Sequence, residues 1–214
     1  VMRVDDYPTR LLQTLMSLAP KKCDSSIPTV VLLTPGHLNS AYYEHTFLSD
    51  QMGIEMVEAS DLYVENDLVY MKTVDGPQKV DIIYRRIDDD YLDPLFYNPN
   101  SVIGVPGIMH AYRTGGVNIC SAPGCGIADD KAIYIYVPEM IKFYLGENPI
   151  LDNVETWRCE RDDELKYVLE NISNLVVKEV DGSGGYGMLI GPKSTKETIQ
   201  EFSSKLKNNP RGYI

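Results

Sequence analysis

Residues 175–190 constrain this chain more tightly than any other stretch. They read Leu175-Val176-Val177-Lys178-Glu179-Val180, then Asp181-Gly182-Ser183-Gly184-Gly185-Tyr186-Gly187, then Met188-Leu189-Ile190. Two short β-rich runs joined by four glycines in six residues describe a hairpin with a pliable tip, because glycine reaches backbone conformations closed to other residues. The tip satisfies GxGxxG, but in a dinucleotide fold those glycines lead into a helix. Here Met188-Leu189-Ile190-Gly191-Pro192 is strand-like and too short for one. The GxxxxGK phosphate loop is absent as well.

Two uses remain for such a tip. It is a plain hairpin turn, or it folds over a triphosphate and offers backbone N–H groups to the oxygens. Lys178 lies four residues before the tip and, by strand alternation, on the face of Val176 and Val180. It is therefore an edge residue reaching solvent or a cation reaching a ligand. A protein-kinase glycine loop places its lysine on a later strand, and the HRD and DFG signatures are missing here.

The rest of the chain reads as an α/β protein. Apolar spacing predicts a helix over 7–19, a buried strand over 29–33, and a helix capped by Asn39 or Ser40 and closed before Gly53. A strand over 54–59 precedes two runs that flank Asn66-Asp67, a hairpin signature, and Val80 to Arg85 reads as one further strand. The middle, from Val105-Pro106-Gly107 to Pro123-Gly124-Cys125-Gly126, reads as Gly/Pro turns. Pro138 divides two short helices, about 130–136 and 138–145, with Gly146 behind them. Helices over 162–171 and from Ser194-Thr195 to Leu206 follow, and Pro210 to Ile214 reads as the start of a new strand.

Charge and cysteine content narrow the function. A net charge of −11 argues against nucleic acid and anionic membranes as partners, which need a broad basic surface. A nucleotide needs only two or three placed cations. No run approaches the ~20 apolar residues of a membrane span, and the expected location is cytoplasmic. Cys23, Cys120, Cys125 and Cys159 lack the spacing of a metal site or a disulfide framework, and His37, His45 and His110 lack metal-ligand spacing.

Two polar clusters remain. Arg85-Arg86-Ile87-Asp88-Asp89-Asp90, with Asp93, follows a strand end, where α/β folds bind ligands. The arginines suit a transferring phosphoryl group and the carboxylates suit Mg²⁺, unless the segment is a solvated, charge-balanced loop. In Asp129-Asp130-Lys131 an aspartate caps a helix start, which leaves Lys131 unexplained.

Taken in order, the segments LLTPGHLNSAYYEH, VDIIYRRIDDDYLDPL, GVPGIMHAYRTGGV, APGCGIADDKAIYIYVPEMIKFYLGENPIL and LVVKEVDGSGGYGMLIGP resemble the circularly permuted ATP-grasp family related to glutathionylspermidine synthetase. The resemblance implies an ATP-grasp-like α/β fold of mixed α+β character. It divides the chain into a helical segment over 1–28, a Rossmann-like unit over 29–128 and a partial nucleotide-binding subdomain over 129–214. It further implies an ADP-forming ligase that joins a small-molecule or peptide carboxylate to an amine through an acylphosphate, with ATP and Mg²⁺.

By the same match, Lys131 and Lys178 contact ATP, and Gly182, Ser183, Gly184, Gly185 and Gly187 close over its phosphates. The Arg-x-Asp of Arg86 and Asp88 resembles the family element whose arginine stabilises the phosphoryl transition state and whose aspartate binds Mg²⁺; Asp89 joins Asp88 as a metal ligand from its place in the acidic run alone. Two residues depart from the family pattern: Ser121 stands where asparagine is usual, and Glu179 where proline often follows the lysine. Family chains extend beyond both ends of this one, so the resemblance implies a partial ligase core. A nucleotide- or peptide-binding module without catalysis and a phosphotransferase are the alternatives.

Overall fold

The computed structural model describes residues 4–182 and 184–214. The chain forms two compact units, Val1–Cys125 and Gly126–Ile214.

In the first unit, α1 (Tyr7–Met16) opens with Pro8 in its first turn, where a missing N–H breaks no helical bond. All four residues of β1 (Val30–Leu33) are buried, which requires cover on both faces. Next come α2 (Tyr42–Met52), closed by Gly53 at φ +66°, and β2 (Glu55–Val57). β3 (Leu62–Glu65), β4 (Leu68–Thr73) and β5 (Gly76–Val80) make an antiparallel sheet in that order. Asn66 and Asp67, at φ 50° and 64°, form its first turn between the paired Glu65 and Leu68. Two such residues give the twist that a two-residue hairpin prefers.

β6 (Ile82–Arg85), α3 (Asp89–Leu92), α4 (Ile108–Arg113) and β7 (Asn118–Cys120) complete the unit. The main sheet is parallel throughout, in the order β2-β1-β6-β7. Its two faces follow the period-two alternation of strands. Val30, Leu32 and Ile82 pack with Leu15, Leu48 and Met52 of α1 and α2. Val31, Leu33, Ile83 and Ile119 pack on the other side with the small sheet and α4. The chain therefore leaves β1 over one face and β6 over the other.

Three expectations are corrected here. The run from Val80 to Arg85 is two strands, broken at Asp81. The Asp81 carboxylate is buried, accepts from the Thr29 N–H at 3.0 Å and lies 3.2 Å from Lys79 Nζ, so one sheet ends there and the other begins. The cap residue of α2 is Ala41, and Asn39 Oδ1 instead accepts from the Ala41 N–H. The glycine-rich middle holds α4 and β7, whose apolar residues Ile108, Met109, Ala111 and Ile119 enter the core.

Asp93 organises that middle segment. Its buried carboxylate accepts from the backbone N–H groups of Leu95, Gly107 and Met109 at 2.9–3.1 Å. It thereby ties the loop after α3 to the start of α4.

In the second unit, a 3-10 turn over Lys131–Tyr136 runs into α5 (Val137–Leu145), which ends on Gly146 at φ +67°. α6 (Asp162–Asn171), β8 (Val176–Val177), β9 (Leu189–Ile190) and α7 (Lys196–Asn208) follow. Thr195 caps α7, its Oγ1 accepting from the Thr198 N–H. Cys159, Val168, Ile172, Val177, Leu189, Phe202 and Leu206 form the core.

The expected strand over 175–180 pairs with β9 only at Val176 and Val177. Beyond them it turns to another partner. Lys178 N–H donates to the Ile214 carbonyl, the Ile214 N–H donates back, and Val180 N–H donates to the Gly212 carbonyl. The expected strand at Pro210–Ile214 is thus extended only at its end, after a 3-10 turn over Pro210–Gly212.

Two measurements check these cores. Burial, followed by the nearby Glu164 carboxylate, pushes the Cys159 thiol up to about 11, whereas Cys125 is exposed. At pH 8 iodoacetamide is expected to modify Cys125 in the native chain and Cys159 only after denaturant is added, read by peptide mass spectrometry. Asp93→Ala strands one buried and two part-buried donors and is expected to lower stability by roughly 2–3 kcal/mol in urea unfolding, with or without Mg²⁺.

Candidate functional site

The second unit brings its two candidate lysines to one cavity. Asp130 opens the 3-10 turn, its carboxylate accepting from the Ala132 N–H at 2.7 Å. The next N–H, that of Lys131, donates to the Val180 carbonyl at 2.9 Å. This bond sets Lys131 against the strand that carries Lys178. The Lys131 ammonium also donates to the carbonyl of Gly182, the first glycine of the tip.

Lys131 and Lys178 both line a cavity of about 870 Å³. Ile133, Tyr134, Val137, Trp157, Val168 and Val177 supply much of its apolar wall, and Asp129 is a further charged neighbour. Pockets of ~300–1,000 Å³ with apolar walls and a few polar groups are those that hold nucleotide-sized ligands. The Lys178 side chain forms no ion pair or hydrogen bond with the described residues. Its cationic head is available to a ligand.

The tip itself needs glycine. Gly184, Gly185 and Gly187 lie at φ +63°, +79° and +65°, the left-handed region that glycine enters without strain. Ser183 falls outside the described residues. A side chain at Gly187 would also collide with the Glu179 carboxylate, which lies against the tip. Tyr213 Oη donates a long bond to Glu179 Oε1, 3.5 Å, and burial followed by that carboxylate raises the Tyr213 phenol above its usual range.

The first unit separates the two neighbouring arginines. Arg85, with its side chain 7% exposed, donates to the carbonyls of Ile87, Ser121 and Ala122 and pairs with Asp89 at 2.7 Å. It locks the end of β6 to the loop after β7. Arg86 is 27% exposed; its Nη2 sits 2.5 Å from Glu44 Oε1 and its Nη1 donates to Tyr84 Oη at 3.2 Å.

The two aspartates proposed for metal also differ. Asp88 is exposed, and its carboxylate makes no bond to the described residues. Asp89 Oδ2 accepts from the Gly124 N–H at 3.0 Å while Oδ1 pairs with Arg85. Among the described residues no three of His, Cys, Asp and Glu gather as a metal cage. Mg²⁺ asks for less, often one or two carboxylates with phosphate oxygens and water. Asp88 suits that role as it stands; Asp89 serves only by releasing its partners.

Beside Arg86 lies a group that sequence reasoning did not assemble. Thr34, at the end of β1, and His45, on α2, are each 1% exposed and share a 2.9 Å hydrogen bond between Oγ1 and Nδ1. Burial, then Arg86, lowers the His45 pKa below its ordinary value, against a smaller opposing effect of Glu44. The adjacent Glu44-His45 pair was the available signal. Trp157 and Tyr134 belong to the cavity wall, which aromatic content alone does not reveal.

The description that matches the chain, a circularly permuted ATP-grasp, covers residues 1–214. An uncharacterized protein of Synechocystis sp. is 50% identical over 214 residues, which is 100% of this chain and 44% of that protein. An uncharacterized protein of Mycobacterium tuberculosis is 50% identical over 215 residues, 100% of this chain and 38% of that one. A Frankia casuarinae protein that carries the provisional name glutamate–cysteine ligase 2-2 is 40% identical over 217 residues, 100% of this chain and 25% of that one. The chain spans less than half the length of each of these relatives. With its parallel and antiparallel sheets in a mixed α/β fold, this chain belongs to the circularly permuted ATP-grasp family.

Proposed function

We propose that this chain carries the nucleotide-binding part of an ATP-dependent ligase that joins a carboxylate to an amine, through an acylphosphate, with release of ADP. One observation carries the reading: Lys131 and Lys178 line the same cavity, and Lys131 holds the glycine tip by its first carbonyl. A free ammonium such as that of Lys178 attracts a phosphate by about 4 kcal/mol at 4 Å and an effective dielectric near 20, before desolvation. A glycine-rich tip lets the backbone come close to a ligand and offers its N–H groups to phosphate oxygens.

In this reading Lys131, Lys178, Gly182, Ser183, Gly184, Gly185 and Gly187 hold ATP, with Trp157 and Tyr134 on the apolar wall. Arg86 acts in phosphoryl transfer, and Asp88 with Asp89 binds Mg²⁺. ATP, when bound, supplies the phosphoryl group that activates the acid. The name of the Frankia relative fits a reaction of this type, the joining of a carboxylate to an amine. The acceptors are small molecules or peptides, the location is cytoplasmic, and turnover draws on further sequence of the kind the longer relatives carry.

A second reading, a nucleotide-binding module without turnover, draws on Glu179. Its carboxylate lies against the tip, where a phosphate would meet negative charge. Trp157 is the single tryptophan, so its fluorescence reports the cavity directly. Mg·ATP is expected to change that fluorescence saturably, and Lys178→Ala to weaken binding about tenfold or more, ~1.4 kcal/mol. A titration with no saturable change, or one indifferent to Lys178, contradicts the nucleotide site. ADP release by a chain as long as the relatives, dependent on both carboxylate and amine, supports the ligase; binding without release supports the module.

A further inference from the structure

β1 and β6 are neighbours in the parallel sheet, yet the chain leaves them over opposite faces, through α2 on one side and toward α4 on the other. The gap outside their carboxyl ends is a topological switch point, the place where open α/β sheets bind ligands because no crossover fills it. The residues at this gap are Thr34 just after β1, Glu44 and His45 from α2, and Arg86 after β6. Arg86 is held beside the end of β1 by its N–H donating to the Leu33 carbonyl at 2.8 Å.

The floor and the rim of this gap differ in chemistry. Thr34 and His45 are buried and hydrogen-bonded to each other, and Thr34 Oγ1 also accepts from the Gly36 N–H at 3.2 Å. The rim is charged. The Arg86 guanidinium and the Glu44 carboxylate, 27% and 53% exposed, are paired at 2.5 Å. A guanidinium matches a carboxylate in plane and in donor spacing, and a carboxylate readily takes an ammonium.

A ligand bearing only a carboxylate would meet Glu44 as a like charge, and one bearing only an ammonium would meet Arg86. A molecule bearing both replaces one ion pair by two and leaves neither protein charge unpartnered. We infer that the crevice between β1 and β6 binds a zwitterion, a free α-amino acid, with its carboxylate on Arg86 and its ammonium on Glu44. This deepens the ligase reading, on which the ligand's role as a substrate rests; the binding itself does not depend on it.

The test uses the 214-residue chain without nucleotide. L-alanine and L-glutamate are titrated by NMR against propionate and ethylamine, which carry one charge each. The amino acids are expected to bind saturably and at least about tenfold more tightly than the single-charge compounds. Glu44→Gln and Arg86→Gln should each weaken them by about that factor, and Lys196→Ala, at an exposed position of α7, should not. Equal binding of propionate or ethylamine, no saturable binding of either amino acid, or folded rim variants that bind as well as the parent overturns the inference. If a rim variant does not fold, the comparison of ligands on the parent chain decides. Mg·ATP titrated into the same samples separates the two claims: nucleotide binding without amino-acid binding sinks this inference alone, and amino-acid binding without nucleotide binding sinks the ligase reading alone.

Discussion

One backbone hydrogen bond sets the geometry on which the nucleotide reading depends, that from the Lys131 N–H to the Val180 carbonyl at 2.9 Å. Its net energy is modest, about 1 kcal/mol. Its consequence is positional. It fastens the start of the 3-10 turn to the strand bearing Lys178, so residues 47 positions apart share one cavity. The segment is held further by the paired bonds of Lys178 with Ile214 and by that of Val180 with Gly212. Without β9 as a partner beyond Val177, those bonds satisfy groups that would otherwise stand open at the approach to the tip.

In the first unit burial on both faces plays the corresponding part. β1 has no polar side, so it sits inside the sheet with α1 and α2 on one face and the small sheet with α4 on the other. The connections that leave β1 and β6 run over opposite faces, which leaves the polar residues Thr34, His45, Glu44 and Arg86 together at the strand ends. Asp81 contributes from the opposite end. Its buried carboxylate breaks what would be one long strand and lets the two sheets share a core.

Much of this was legible in the residues. Asn66-Asp67 announced its hairpin, Gly53 and Gly146 the ends of their helices, and Thr195 the start of the last one. In each case a local conformational preference decides, and sequence carries local preferences well. What stayed hidden depends on distant partners. Nothing near Asp81 shows that Thr29 will supply its donor, so the strand break was missed. α4 and β7 are short and set among glycines, and only the packing of Ile108 and Ile119 into the core reveals them. The site followed the same rule: Lys131 and Lys178 could be named from their motifs, whereas the division of labour between Arg85 and Arg86 rests on the carbonyls of Ser121 and Ala122.

The central claim is that Lys131 and Lys178 face one nucleotide. An ATP analogue that carries an acylphosphate transfers its acyl group to any lysine held beside the phosphates, and peptide mass spectrometry locates the product. The account predicts acylation of Lys131 and Lys178, suppressed by excess Mg·ATP. Acylation spread over surface lysines such as Lys166 and Lys196, indifferent to Mg·ATP and sparing the cavity pair, would contradict it.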